Sequence, residues 1–214
     1  MSSTDRAPFD PAQYDPETVA VRAGIERSQF GEHGEALFLT SSFVFDTAAG
    51  AAARFSGNAP GNVYARFTNP TVTMFQDRLA ALEGAEACIA TSSGMSAILS
   101  TLMALLKSGD HIIASRGIFG STQQLFATYF EKFGVSTTLV EATNIAAYRA
   151  AVQPNTKLFF IETPSNPLTE VIDIAAVAEI VHAVGARLIV DNVFATPIFQ
   201  RPLELGADIV LYSA

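Results

Sequence analysis

The chain holds a single cysteine, Cys88. That excludes an internal disulfide framework and leaves no cysteine spacing for a metal. Its setting, Glu86-Ala-Cys-Ile-Ala90, reads as a buried strand, with the thiol as apolar filler. Positive charge is also scarce: 13 Lys and Arg stand against 21 Asp and Glu, a net charge of −8, and no basic cluster occurs. Such a chain suits neither nucleic acid nor an anionic membrane, because phosphate contacts need clustered cations. Lysine itself occurs three times, as Lys107, Lys132 and Lys157. His33, in a polar loop, His111, opening a strand, and His182, on an amphipathic helix, have no metal partner at useful spacing. The longest apolar run, Ala97 to Leu106, is interrupted by Ser100 and Thr101 and is too short for a membrane helix. The first residues, Met1-Ser-Ser-Thr-Asp-Arg-Ala-Pro8, lack the apolar stretch of a signal peptide, so a soluble cytoplasmic protein is expected.

What is present is apolar. Of 214 residues, 49% are hydrophobic and 16% charged, and the mean hydropathy is +0.28. A large core is expected, together with a subunit interface or a partner domain to cover the surplus. Residues 1–60 read as an N-terminal extension or oligomerisation arm and 61–214 as one large domain. Within the arm, Asp15-Pro16-Glu17 opens a short helix with Asp as N-cap and Pro at the first helical position. Residues 31–62 read as irregular, with one short helix around Ala48 to Ala53. Asn69-Pro-Thr-Val72 starts a longer helix whose apolar face carries Val72, Phe75, Leu79 and Leu82, ended by Gly84.

From residue 86 the pattern alternates. Strands are expected at 87–91, 111–115, 135–140, 157–162, 186–191 and 208–212. Helices are expected at 93–107, 121–134, 144–152 and 173–185, with Ser121-Thr-Gln-Gln124 spaced as a capping box. Strands this apolar, separated by helices, predict an α/β domain with a mostly parallel sheet covered by helices on both faces.

Open sheets of this kind bind ligands beyond the carboxyl ends of their strands. After the first expected strand comes Thr91-Ser-Ser-Gly-Met-Ser96, a hydroxyl- and glycine-rich entry to a helix that offers N–H groups to an anion. An ordinary N-cap reads the same way. After the second, Gly117 and Gly120 bracket Phe119, which would stack on a planar ring or simply join the core. Glu162-Thr-Pro-Ser-Asn-Pro167 presents Asn166 on a proline-stiffened turn, and Glu162 itself reads as structural within that turn. Asp191-Asn192 ends an apolar strand, where a carboxylate needs a partner: a metal, a ribose or a protonated ring nitrogen. Each signal is ambiguous alone. Together, a phosphate cradle, a stacking ring, an amide and a carboxylate meet the needs of pyridoxal 5′-phosphate (PLP), whose ring nitrogen must stay protonated to accept electrons.

Five motifs carry a resemblance to a known family. They are Tyr64-Ala-Arg66-Phe-Thr-Asn-Pro-Thr71, Ser92-Ser-Gly-Met-Ser96, Glu162-Thr-Pro-Ser-Asn-Pro167, Asp191-Asn-Val-Phe-Ala-Thr-Pro197 and Leu211-Tyr-Ser-Ala214. In this order they resemble the Cys/Met-metabolism PLP enzymes, from about residue 15 onward. The resemblance implies the large domain of PLP fold type I, the aspartate-aminotransferase-like fold, with its C-terminal domain outside this chain. It implies that Ser93, Gly94 and Met95 hold the phosphate with help from Ser213. Asp191 would pair with the ring nitrogen, Phe119 would stack, and Asn166 would face the ring hydroxyl. Tyr64 and Arg66 would reach a neighbouring subunit's cofactor, so that a homotetramer shares its sites across dimers. The lysine that binds the cofactor's aldehyde is expected two residues after Ala214, following one threonine, so no catalytic residue lies within the chain. The family's usual Tyr-Gly-Gly-Thr turn is Phe119-Gly-Ser-Thr122 here. Without a phenol to assist departure, a carboxylate leaving group fits better than a thiol. The implied reaction is γ-replacement on an O-acylated homoserine, succinyl foremost, with sulfide as nucleophile. Cystathionine γ-synthase or γ-lyase chemistry is the alternative within the family, and a non-catalytic module is the alternative outside it.

Overall fold

A computed structural model describes residues 9–214, which form two compact units, one reaching to Ala90 and the other running Thr91–Ala214. In the first unit, helices α1 (Pro16–Arg22), α2 (Ala48–Phe55) and α3 (Pro70–Glu83) stand among irregular segments. The expected entry and exit of α3 are both observed. Asn69 Oδ1 accepts from the Thr71 N–H at 2.9 Å, Pro70 occupies the first turn, and Gly84 closes the helix at φ +67°. The segment before it is pinned to the same cap: Asn69 Nδ2 donates to the Phe38 carbonyl, and Thr71 Oγ1 donates to Ala36. Gly24 sits at φ +74°, where a Cβ would lie 2.5 Å from the Met74 carbonyl, so only glycine lets α1 end against α3.

The second unit is built on five parallel strands: β1 (His111–Ser115), β2 (Ser136–Val140), β3 (Thr156–Glu162), β4 (Arg187–Asp191) and β5 (Ile209–Leu211). They lie in the order β2-β1-β3-β4-β5. The connecting helices include α4 (Gly94–Leu105), α5 (Gly120–Gln124), α6 (Ile145–Ala150), α7 (Ile174–Ala183) and α8 (Thr196–Phe199). Alternation along the strands sorts the core into two layers. Ile113, Phe159, Ile161, Leu188 and Val190 face the layer of Val177 and Val181 from α7. Ile112, Ala114, Leu158, Phe160 and Ile189 face Ile98, Leu102 and Phe126 from the other side. A strand whose alternate residues are all apolar is buried on both faces, as the parallel α/β reading requires. Phe159 and Phe160 are both fully buried, and burial of one such ring is worth about 1.5–3 kcal/mol.

Three expectations are corrected. No strand forms at 87–91. A strand exists only where a neighbour completes its ladder, and the backbone bond observed there runs from the Ala90 N–H to a side chain, Gln76 Oε1, at 2.8 Å. Cys88 therefore lies outside any strand and is partly exposed, with burial and Asp77 pushing its thiol pKa up, away from the reactive thiolate. The capping box at Ser121 is likewise not formed. The helix begins one residue earlier with Phe119 at its N-cap and no side-chain cap, then loosens into a wider turn over Leu125–Phe130. The backbone geometry of the Phe119 turn has displaced the local hydroxyl signal.

At the opposite end of the sheet His111 is fully buried between Thr156 Oγ1 (2.8 Å from Nδ1) and Thr138 Oγ1 (2.9 Å from Nε2). Burial holds its pKa below the ordinary 6.5. In the unfolded chain the imidazole gains its proton near that ordinary value, but in the folded protein it does so only at lower pH. Its contribution is therefore intact above 6.5 and is lost as pH falls from there toward the folded pKa. Thermal denaturation across this range should give His111→Gln a flatter pH dependence than the wild type, with the wild type falling faster below pH 6.5.

Candidate functional site

Parallel pairing places every strand's carboxyl end on one side of the sheet. The chain runs from β1 to β2 on one side and then crosses back to β3 on the other, so the order reverses between β1 and β3, the position at which open α/β sheets form a crevice. A cavity of about 300 Å3 opens there within the second unit. Each wall comes from a strand end: Phe119 beyond β1, Glu162 and Asn166 at β3, Asp191, Val193 and Phe194 at β4, and Leu211, Tyr212 and Ser213 at β5. The N-terminus of α4 adds Gly94, Met95 and Ile98. Among the described residues, no lysine, arginine or histidine lines it.

One end is shaped for an anion. Ser93 caps α4, its hydroxyl accepting from the Ser96 N–H at 3.1 Å. The first helical backbone bond is donated by Ala97, leaving the N–H groups of Gly94 and Met95 ahead of the ladder. Gly94 approaches β5 so closely that a Cβ would stand 2.7 Å from Ser213 Cβ and 3.0 Å from its Oγ. The serine hydroxyl therefore lies beside the helix N-terminus, and the two together make a concave set of donors.

The other end is shaped for a flat, cationic group. Asp191 closes β4, its Oδ1 accepting from the Val193 N–H at 3.1 Å, while burial pushes its pKa up. A half-buried carboxylate raised in this way is stabilised by an incoming cation. The Phe119 ring, 43% exposed, stands on the same cavity. Asn166 occupies the Thr163–Pro167 turn, whose two X-Pro bonds are both cis, and its N–H donates to the Gly117 carbonyl at 3.2 Å.

Behind Asp191 the fully buried Asn192 bonds to Gln200 and to the Tyr212 hydroxyl, and Gln200 Nε2 donates to both Asn192 Oδ1 and the Thr163 carbonyl at 2.7 Å. This belt ties the ends of β3, β4 and β5 together. Gln200 gives no sequence signal, since it lies outside every strand-end motif.

The structure thus gathers Gly94, Met95, Phe119, Asn166, Asp191 and Ser213 on one cavity. Ser93 serves as the helix cap and is not on the wall. Tyr64 and Arg66 belong to the first unit, with the Arg66 guanidinium 4.9 Å from the Tyr64 ring centroid. Glu162 does not bond within its own turn as expected. It is 1% exposed and accepts instead from the Phe119 N–H at 2.6 Å. Arg116 pairs with Glu141 on the surface. Among the described residues no group of His, Cys, Asp or Glu is placed to hold a metal ion, and no helix is long and apolar enough to cross a membrane.

An open parallel sheet with an anion cradle at one end of its crevice and a half-buried carboxylate at the other defines a domain for a phosphorylated, protonated ring. The Cys/Met metabolism PLP-dependent enzyme pattern matches residues 17–214, and the chain belongs to that family. It is 62% identical over 198 residues to an O-succinylhomoserine sulfhydrylase of Pseudomonas aeruginosa, covering 92% of this chain and 49% of that protein. An L-methionine gamma-lyase of Porphyromonas gingivalis is 43% identical, with 92% of this chain and 50% of that one covered. Among solved structures, metB from Corynebacterium glutamicum superposes with a TM-score of 0.89 at 36% identity, covering 95% of this chain and 51% of the other. A Campylobacter jejuni protein described as an O-acetylhomoserine (thiol)-lyase (metY), TM-score 0.88 at 30% identity, covers 94% of this chain and 49% of its own, and carries N′-pyridoxyl-lysine-5′-monophosphate. The chain spans about half the length of the curated relatives it matches.

Proposed function

We propose that the full-length protein is an O-succinylhomoserine sulfhydrylase: O-succinylhomoserine and sulfide give homocysteine and succinate, a step of methionine biosynthesis. The observation that carries this reading is the Phe119 turn on the cavity wall, considered with the sulfhydrylase relatives. A ring without a hydroxyl stacks but cannot donate a proton to a departing group. Succinate leaves as a stable carboxylate and needs less such help than a thiolate does.

In this reading Gly94, Met95 and Ser213, with the capped helix behind Ser93, hold the phosphate of PLP. Asp191 keeps the ring nitrogen protonated, Phe119 keeps the ring in plane, and Asn166 binds beside the ring oxygen. When bound, the cofactor supplies an electron sink for carbon acidity next to the substrate amine. The chain's own residues orient the ring, hold its proton and exclude water. We place Tyr64 and Arg66 at a neighbouring subunit's site in a cytoplasmic homotetramer, with the aldehyde-binding lysine and the substrate-carboxylate arginine supplied by the remainder of the protein.

Purified full-length protein given O-succinylhomoserine and sulfide should release homocysteine and succinate. Release of α-ketobutyrate without homocysteine would replace this reading with γ-lyase chemistry, in line with the gamma-lyase relatives. A preference for cysteine over sulfide would make the protein a γ-synthase.

A further inference from the structure

Glu162 is a carboxyl in an unusual position. It ends β3, one strand in from Phe119 and directly opposite Asp191 in the β3–β4 register. It lines the cavity yet is 1% exposed. Oε2 accepts the Phe119 N–H at 2.6 Å, whereas Oε1 is buried without any hydrogen-bond partner. The titratable group facing it is Asp191 from β4, the Tyr212 phenol of the same cavity being held by Asn192 Nδ2 at 2.5 Å, and among the described residues no cation lines the cavity. A buried carboxyl facing a half-buried carboxylate without a cation is ionised only at a cost, so below neutrality one of the pair holds a proton. Burial, then Asp191, push the pKa of Glu162 up to about 7. Since Oε2 accepts a hydrogen bond, the proton belongs on Oε1. A buried O–H left without an acceptor costs about 1–3 kcal/mol, and a ligand in this cavity can supply one.

Resting on the proposed PLP reading, we propose that Glu162 recognises the bound ring as a neutral acid. Oε2 holds the Phe119 turn, and the Oε1 proton is donated to the oxygen substituent of the ring. The single negative charge of the carboxyl pair then stays on Asp191, where the protonated ring nitrogen needs it. One side chain thereby couples the placement of the stacking ring to the charge of the ring-nitrogen partner.

The test uses 4′-deoxypyridoxine 5′-phosphate, which has the ring, oxygen and phosphate but no aldehyde, so its binding needs no lysine. Affinity is measured by calorimetry against pH for the cofactor-free full-length wild type, Glu162→Gln and Glu162→Ala. Glutamine mimics the neutral acid: its carbonyl accepts from Phe119 and its amide donates to the ring at every pH. The ratio of wild type to variant at each pH cancels the ligand's own titration. Wild type and Glu162→Gln should bind within about twofold of each other at pH 6, with the wild type falling about tenfold behind by pH 8.5. Glu162→Ala should bind about tenfold more weakly than wild type at pH 6, from the lost hydrogen bond, and should lack the step near neutrality. A ratio that stays constant with pH would overturn the inference while leaving the cofactor reading intact. A wild type that gains on Glu162→Gln as pH rises would overturn it too, by making the carboxylate the binding form. Failure of all three proteins to bind the probe would overturn the cofactor reading and the inference with it.

Discussion

Replacing Asp191 with asparagine should lower kcat by on the order of 10^2–10^3-fold, the usual effect of removing one buried group aimed at developing charge. The substitution keeps size and shape, so the loss isolates the charge. In the folded protein burial holds the Asp191 carboxyl above its ordinary pKa of 3.8. In the proposed site a protonated ring nitrogen beside it would reverse that balance, because an adjacent cation favours the ionised carboxylate. Such an interaction would be reciprocal: the carboxylate would raise the ring nitrogen's pKa as the cation lowered that of the aspartate. Asparagine cannot carry the charge, so a ring nitrogen held there would lose its proton and the cofactor would be a weaker electron sink. The Val193 N–H that donates to Oδ1 still finds an amide oxygen, and the belt through Asn192 is untouched. Folding should therefore be retained, with KM changed much less than kcat. Equal losses in cofactor retention and in kcat would instead mean that Asp191 serves binding alone. Absorbance of the bound ring against pH gives an independent reading, since the variant should lack the protonated-nitrogen form at neutral pH.

Much of this site is legible in the strand ends. Asp191, Asn166 and Phe119 follow runs such as Arg187-Leu-Ile-Val190 that read as buried strands, and a parallel sheet brings such ends together. Two things are not legible, for physical reasons. A strand needs a partner, which periodicity cannot supply, so Ala87-Cys-Ile-Ala-Thr91 has the composition of a strand and none of its pairing. Cross-strand register is equally hidden. Glu162 and Asp191 lie 29 positions apart and become neighbours only because Leu158 aligns with Arg187. A carboxyl read as turn chemistry thus becomes part of the cavity. Gln200 is hidden for the same reason, since its value lies in reaching Thr163 and Asn192 at once.

Gly94 is the position where the smallest change should have the widest effect. Its backbone is not in the left-handed region, so a side chain there is excluded by space alone. A Cβ would meet Ser213 Cβ at 2.7 Å, Oγ at 3.0 Å and Cα at 3.2 Å, and the last of these is backbone that no rotamer change can remove. Either the start of α4 or the end of β5 must move, and both belong to the proposed phosphate cradle. Gly94→Val adds branching that enlarges the displacement. Overpacking of this kind costs about 1–3 kcal/mol, and the same displacement pulls the Gly94 and Met95 N–H groups out of line with the Ser213 hydroxyl. Affinity for the phosphorylated ring should fall by about 10–100-fold, since each 1.4 kcal/mol is a factor of ten. The loss should be specific to the phosphate: pyridoxine 5′-phosphate weakens strongly, while unphosphorylated pyridoxine, weak from the outset, changes little. Gly94→Ser provides the internal control for space against chemistry, because its hydroxyl adds a donor but keeps the offending Cβ. If Gly94→Ser binds the phosphorylated probe as tightly as wild type, crowding against Ser213 is not what makes the glycine necessary.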